Sequence, residues 1–228
     1  MPSTPQQLQT SAQAFSRVSN FPRVIGAIDG THVAIKAPSI DEAIYINRKR
    51  FHSLNVQVVC DGNGLIINYS ARFPGSTHDA YIWRNCNLRH HFSRGTFGDY
   101  LLLGDSGYPL EPFIMTPVTN PTNEAEELYN RAHVRTRVVV ERTLGIVKNR
   151  FRCIHRSGGE LQYTPLRSAK IITACLLLHN RCVRRGIPDP NDHLQEEDMP
   201  NEAHLGGDGD HGGTGRETRD MIIREFYG

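Results

Sequence analysis

With 228 residues, 38% of them hydrophobic and 22% charged, the chain has the length of one domain of about 150 to 200 residues plus a tail. Five cysteines, odd in number and without framework spacing, argue against a disulfide-stapled secreted scaffold, and no stretch approaches the roughly 18 apolar residues of a membrane span or the apolar core of a signal peptide. The net charge of +2 conceals an asymmetry: residues 1–188 carry 23 Lys and Arg against 13 Asp and Glu, whereas residues 189–228 carry 3 against 11. A basic body suits a polyanionic partner, and the expected location is the nucleus or the cytoplasm.

Residues 1–20 are polar with only a weak helical pattern over 12–18, so a flexible lead-in is expected, closed by Phe21-Pro22. Residues 24–35 read as a strand buried on both faces, because Val and Ile dominate and alternation is weak. Asp29 stands near its middle. An ionised buried carboxylate without a partner costs several kcal/mol, so Asp29 needs a cation, a metal or donors such as a Gly30-Thr31 turn. Arg48-Lys49-Arg50 follows in a linking segment and reads either as a solvated loop or as a phosphate contact.

Residues 54–60 alternate as a strand, Asp61-Gly62-Asn63-Gly64 is a hairpin turn signal, and 65–73 return as its partner. Ser76 or Thr77 then caps a helix whose apolar side runs to Phe92. Asp79 lies in its first turn, where the helix dipole favours a carboxylate. A short apolar strand ends at Gly104-Asp105-Ser106-Gly107, and 113–118 form another. Residues 124–154 have long helical character, expected as two helices meeting near Asn130. Val140, Leu144, Val147, Phe151 and Ile154 form one apolar stripe, with Glu141 at its edge in line with Lys148 and Arg152. Residues 161–183 form a last core helix, in which Cys175, His179 and Cys182 read as core rather than as zinc ligands. Residues 188–228 are expected as an acidic disordered tail with a short terminal amphipathic helix over 217–227.

Three antiparallel strands followed by αβ crossovers describe an α/β, ribonuclease-H-like mixed sheet flanked by helices, with the first and fourth strands side by side at its centre. That adjacency brings Asp29 and Asp105 together, and Glu141 follows 36 positions after Asp105. Two strand-end aspartates and a helical glutamate supply the hard oxygen ligands that hold two divalent ions roughly 4 Å apart in phosphoryl chemistry. Gly104-Asp105-Ser106-Gly107 also reproduces part of the nucleophile turn of serine proteases. Tyr108 stands where that turn needs glycine, and the histidine block that accompanies it is missing.

Five ordered motifs, Ala27-Ile28-Asp29-Gly30-Thr31-His32, Pro74-Gly75-Ser76-Thr77-His78-Asp79, Leu103-Gly104-Asp105-Ser106-Gly107-Tyr108, Val140-Glu141-Arg142-Thr143-Leu144-Gly145 and Leu178-His179-Asn180, resemble those of the PIF/Harbinger transposases and the nucleases derived from them. The resemblance covers about residues 21–186. It implies a DDE nuclease domain over 21–187, with Asp29, Asp105 and Glu141 as the catalytic triad. Asp79 matches a further acidic position and becomes a fourth candidate metal ligand. A divalent cation, Mg or Mn, is the implied cofactor and DNA the implied partner, with Lys148 and Arg152 as expected phosphate contacts. The helical region that precedes the core in that family has no counterpart in residues 1–20, which leaves a place for a separate DNA-binding partner protein. A catalytically inactive, domesticated DNA- or partner-binding protein is the second reading.

Overall fold

The computed structural model describes residues 1–190 and 213–228. Five strands, β1 (Val24–Ala34), β2 (Ser53–Cys60), β3 (Ile66–Pro74), β4 (Leu101–Leu103) and β5 (Ile114–Met115), form one sheet in the order β3-β2-β1-β4-β5. β1, β2 and β3 pair antiparallel, while β4 runs parallel to β1 and β5 parallel to β4. This is the ribonuclease-H-like mixed sheet expected from the order of elements, with β1 and β4 adjacent.

The sheet is buried on both sides because its strands carry apolar residues at both parities. On β4, Leu101 and Leu103 enter one core and Leu102 the other. On β2, Leu54, Val56, Val58 and Cys60 face the first core, which leaves Asn55, Gln57 and Val59 for the opposite side. The first core is closed by the long helix α4 (Glu124–Arg150) and by α5 (Pro165–Arg184). The second is closed by the short helices α2 (Asp79–Arg84) and α3 (Asn87–Ser93), through Trp83, Leu88 and Phe92. Among the described residues no helix is long and apolar enough to cross a membrane.

Four local expectations change. Residues 1–20 are not a loose lead-in but contain a helix, α1 (Pro5–Ser16), capped by the Thr4 hydroxyl and started by Pro5. Its polar composition hides it, since burial rests on Leu8, Ala14 and a fully enclosed Phe15. The helix expected to be capped by Ser76 or Thr77 and to run to Phe92 starts instead after His78, which makes no side-chain cap bond, and breaks at Asn85; Cys86 caps the second piece by accepting from the Arg89 N–H. α4 runs unbroken through Asn130, whose amide is drawn off to the side: it accepts from the Val118 N–H and donates to the Val118 carbonyl, at 2.8 and 2.9 Å.

The fourth change is at the carboxyl end. The disordered acidic tail falls largely on residues 191–212, outside the described residues. Residues 213–228, however, hold helix α6 (Gly213–Phe226), longer than the terminal helix expected, with Ile222 fully buried against the first core. All five cysteines are free thiols.

Candidate active site

The site lies where β4 ends and β1 continues alone past their last shared register. Ala27 pairs with Leu103, so Asp29 and Asp105 each stand two residues further along neighbouring chains. Both are fixed by backbone donors. Gly30 N–H donates to Asp29 Oδ1 at 2.8 Å, and Gly107 N–H donates to Asp105 Oδ1 at 2.9 Å.

Face parity then decides what each residue meets. Asp29 is opposite Val58, whose side chain belongs to the α4 side, and accordingly Asp29 reaches α4. The next residue, Gly30, faces α2. A Cβ there would lie 2.3 Å from Asp79 Oδ1, so glycine at position 30 is what lets the Asp79 carboxylate approach the strand. Asn55 orients that carboxylate, donating to Asp79 Oδ1 at 2.8 Å and to the Thr77 carbonyl at 2.9 Å.

Burial pushes the Asp29 carboxyl up to about 7. The Asp105 and Asp79 carboxylates push it the same way, and Arg137 and the Gly30 N–H pull it down. Asp79 is likewise raised, by burial first, with the Asn55 hydrogen bond opposing and Asp105 adding. Tyr108 is buried beside these three aspartates, and its hydroxyl has no hydrogen-bond partner.

Glu141 reaches this centre through Arg137. One guanidinium nitrogen of Arg137 lies 3.5 Å from Asp29 Oδ2 and the other 3.3 Å from Glu141 Oε1. Arg137 is one helical turn before Glu141, and only 9% of its surface is exposed. Sequence reasoning passed over it, although an arginine four residues ahead of a candidate glutamate was a readable signal. The helix turn before it carries His133, buried on the Met115 carbonyl; burial and the Arg137 charge hold it neutral, down to about 3.

Cations crowd the other side. Lys148 is held below the ordinary lysine range by burial and by Lys49, while Asp29 pulls it up. Burial, Arg48, Lys148 and Lys49 together lower His32 to about 4. Arg48 and Lys49 ride on a loop shaped by the buried Asn47, which donates to the Ser53 hydroxyl at 2.8 Å and accepts from the Lys49 N–H at 2.9 Å. The linking segment is therefore built against the site. Arg152 lies beyond the end of α4, in a short turn, exposed and hydrogen-bonded to Ser157 and Asn149. It does not continue the helical line of Glu141 and Lys148.

The donor set suits a hard divalent cation: Asp29, Asp79 and Asp105 are carboxylates of a shared environment, with Glu141 one guanidinium away. Among the described residues, no three His, Cys, Asp or Glu side chains converge closely enough to hold a metal ion in this conformation. His179 is on α5 with Nε2 on the Gly64 carbonyl, as a core histidine.

Comparison with known proteins gives the family. Residues 28–180 match the family model of the DDE superfamily endonucleases. The chain is 41% identical over 186 residues to the rat (Rattus norvegicus) protein named "Putative nuclease HARBI1" and 39% identical over 186 residues to its human (Homo sapiens) namesake. Each alignment covers 82% of this chain and 53% of the relative. The mouse (Mus musculus) namesake is 37% identical over 226 residues, 96% of this chain and 63% of its own. The chain thus spans about half to two thirds of the length of these curated relatives. No solved structure matches it.

Proposed function

We propose that this chain, which belongs to the DDE superfamily endonuclease family, cleaves DNA phosphodiester bonds with the help of Mg or Mn, as a transposase-derived nuclease. The observation that carries this reading is that Asp29 on β1 and Asp105 just after the parallel neighbour β4 each stand two residues past the Ala27–Leu103 pair, with Asp79 packed against Gly30 beside them. Asp29, Asp105 and Asp79 would hold the cation, and Glu141 would join them from α4. When bound, the metal supplies Lewis-acid stabilisation of the phosphoryl oxygens and a more acidic water.

The chain's own residues position the substrate. Asn55 and the Gly30 and Gly107 N–H groups each hold a carboxylate oxygen in place. Lys148, Arg48 and Lys49 form a cationic border on which a phosphate backbone can lie, and Arg152, in the turn after α4, would extend it. Contacts to phosphate position DNA without selecting its sequence, and a DNA-binding partner protein would supply that selection. DNA as substrate makes the nucleus the place of action, which localisation of a tagged chain tests.

The deciding experiment incubates the chain with single- and double-stranded DNA in Mg, in Mn and in excess EDTA, beside Asp105→Asn. Strand breaks that need metal and Asp105 are expected. Breaks that persist in EDTA, or in the variant, would overturn the reading. DNA binding without cleavage under every condition would favour a domesticated binding protein.

A further inference from the structure

We infer that Arg137 is a built-in counter-cation of the acidic centre, which a divalent ion must displace from Glu141 before the fourth carboxylate can close on the metal. This deepens the nuclease reading and rests on it.

The argument begins with position. Arginine stays protonated at any working pH, and a guanidinium with 9% of its surface exposed must be neutralised by neighbours. Arg137 has two, one on the sheet and one on its own helix, so a single cation spans Asp29 and Glu141. A carboxylate pair bridged in this way already has the counter-charge that a metal would otherwise supply.

The contacts also hold the guanidinium incompletely. At 3.5 and 3.3 Å both ion pairs are longer than the 2.7–3.2 Å of a good N–H···O bond. The Arg137 Nε is buried with no hydrogen-bond partner. A structural arginine is expected to form a bidentate fork with its remaining donor satisfied, and here neither condition holds. Gly145, one turn beyond Glu141, has open space beside it, so Glu141 is not walled in on that side. The Glu141 carboxylate is meanwhile kept on Arg137.

Two roles predict opposite signs for the loss of Arg137. If Arg137 only props up the carboxylates, removing it lets them repel and drift, and metal binding weakens. If it competes with the metal, removing it strengthens binding, because a positive charge and an occupied ligand disappear together.

The test measures Mn binding to the full chain by the loss of the free-ion electron paramagnetic resonance signal, for wild type, Arg137→Met and Arg137→Lys. Arg137→Met is expected to bind Mn roughly tenfold more tightly, within the usual range of coupling between two sites. Arg137→Lys, which keeps the charge, should stay near wild type. Equal or weaker binding by a folded Arg137→Met would overturn the inference, while metal-dependent cleavage by wild type would leave the nuclease reading standing. No Mn binding by any of the three would overturn both.

Should Arg137→Met fail to fold, the wild-type chain decides. Its Arg137 Nε–H nitrogen-15 resonance, assigned by its absence from Arg137→Lys, should move on titration with Mg. A fixed resonance while Mg binds would overturn the inference.

Discussion

Asp29 and Asp105 each stand two residues past the Ala27–Leu103 pair, Asp29 still within β1 and Asp105 in the loop that follows β4. A backbone N–H holds each carboxylate, from Gly30 and from Gly107. Replacing either carboxylate by Asn removes a metal-binding charge while keeping its shape. Cleavage by Asp29→Asn or Asp105→Asn should fall by on the order of a thousandfold, the rate equivalent of several kcal/mol. Circular dichroism should show the fold retained. Retention of more than about a tenth of wild-type cleavage, a loss of under ~1.4 kcal/mol, would exclude that aspartate from the triad.

Asp29 also makes stability depend on pH. Its folded carboxyl titrates near 7 rather than 3.8, so between those values the native state holds a proton that the unfolded chain has released. The folded form therefore loses stability as pH rises through this window, and the penalty is fully present above it. Wild type compared with Asp29→Asn should lose on the order of 2 to 4 kcal/mol between about pH 4 and pH 8, measured by urea unfolding. Mg added at the higher pH should restore part of the loss by binding only the folded form. A difference between the two proteins that does not vary with pH would show that Asp29 is not held in this raised state.

The fold was legible because its signals are local. Apolar runs mark β1 and β4, although Asp29-Gly30, read as the end of the first, falls inside a strand that continues to Ala34, and a hairpin turn joins β2 to β3. What escaped depends on contacts made across the chain. From its helix position alone Asp79 reads as a helix-dipole carboxylate, and only the family motif marked it; Gly30 and Asn55, which hold it against the sheet, are contacts across the chain. Arg137 looked like one cation among many on α4, and its role exists only because β1 places Asp29 3.5 Å away. Helix α1 was lost for the same reason, since its one fully buried aromatic, Phe15, packs on residues distant in sequence.

The cationic border predicts a salt signature. Lys148 stands near Asp29 and His32, and Arg152 lies on the same side, since both bear on His155. Each phosphate contact removed should reduce the slope of log affinity against log salt by about 0.9 without altering sequence preference. Lys148→Ala and Arg152→Ala should each show this in fluorescence anisotropy with duplex DNA. Of the two, Lys148→Ala should also depress cleavage, being the closer to the carboxylates. An unchanged slope would remove that residue from the DNA path.

The carboxyl-terminal region separates into two effects that a simple truncation would confuse. Helix α6 is docked: Gly215 lies so close to Leu110 that an added Cβ would stand 2.8 Å from its carbonyl oxygen, and Arg219 donates to the Pro117 carbonyl at 3.3 Å. Tyr227 completes the contact, its ring 6.2 Å from Phe21 and 6.0 Å from Tyr129. Because Ile222 is fully buried, Ile222→Ala should cost about 2 to 5 kcal/mol of stability, without changing DNA affinity once the folded fraction is allowed for. The acidic residues of 191–212, seven with no Lys or Arg among them, carry charge tethered to a basic body. At high effective concentration such charge competes with DNA phosphate. Exchanging those seven for Asn and Gln, with α6 intact, should tighten non-specific DNA binding at low salt, and the gain should fade as the Debye length shortens. Salt titrations of the exchanged and native chains that superimpose would leave this segment no part in DNA binding.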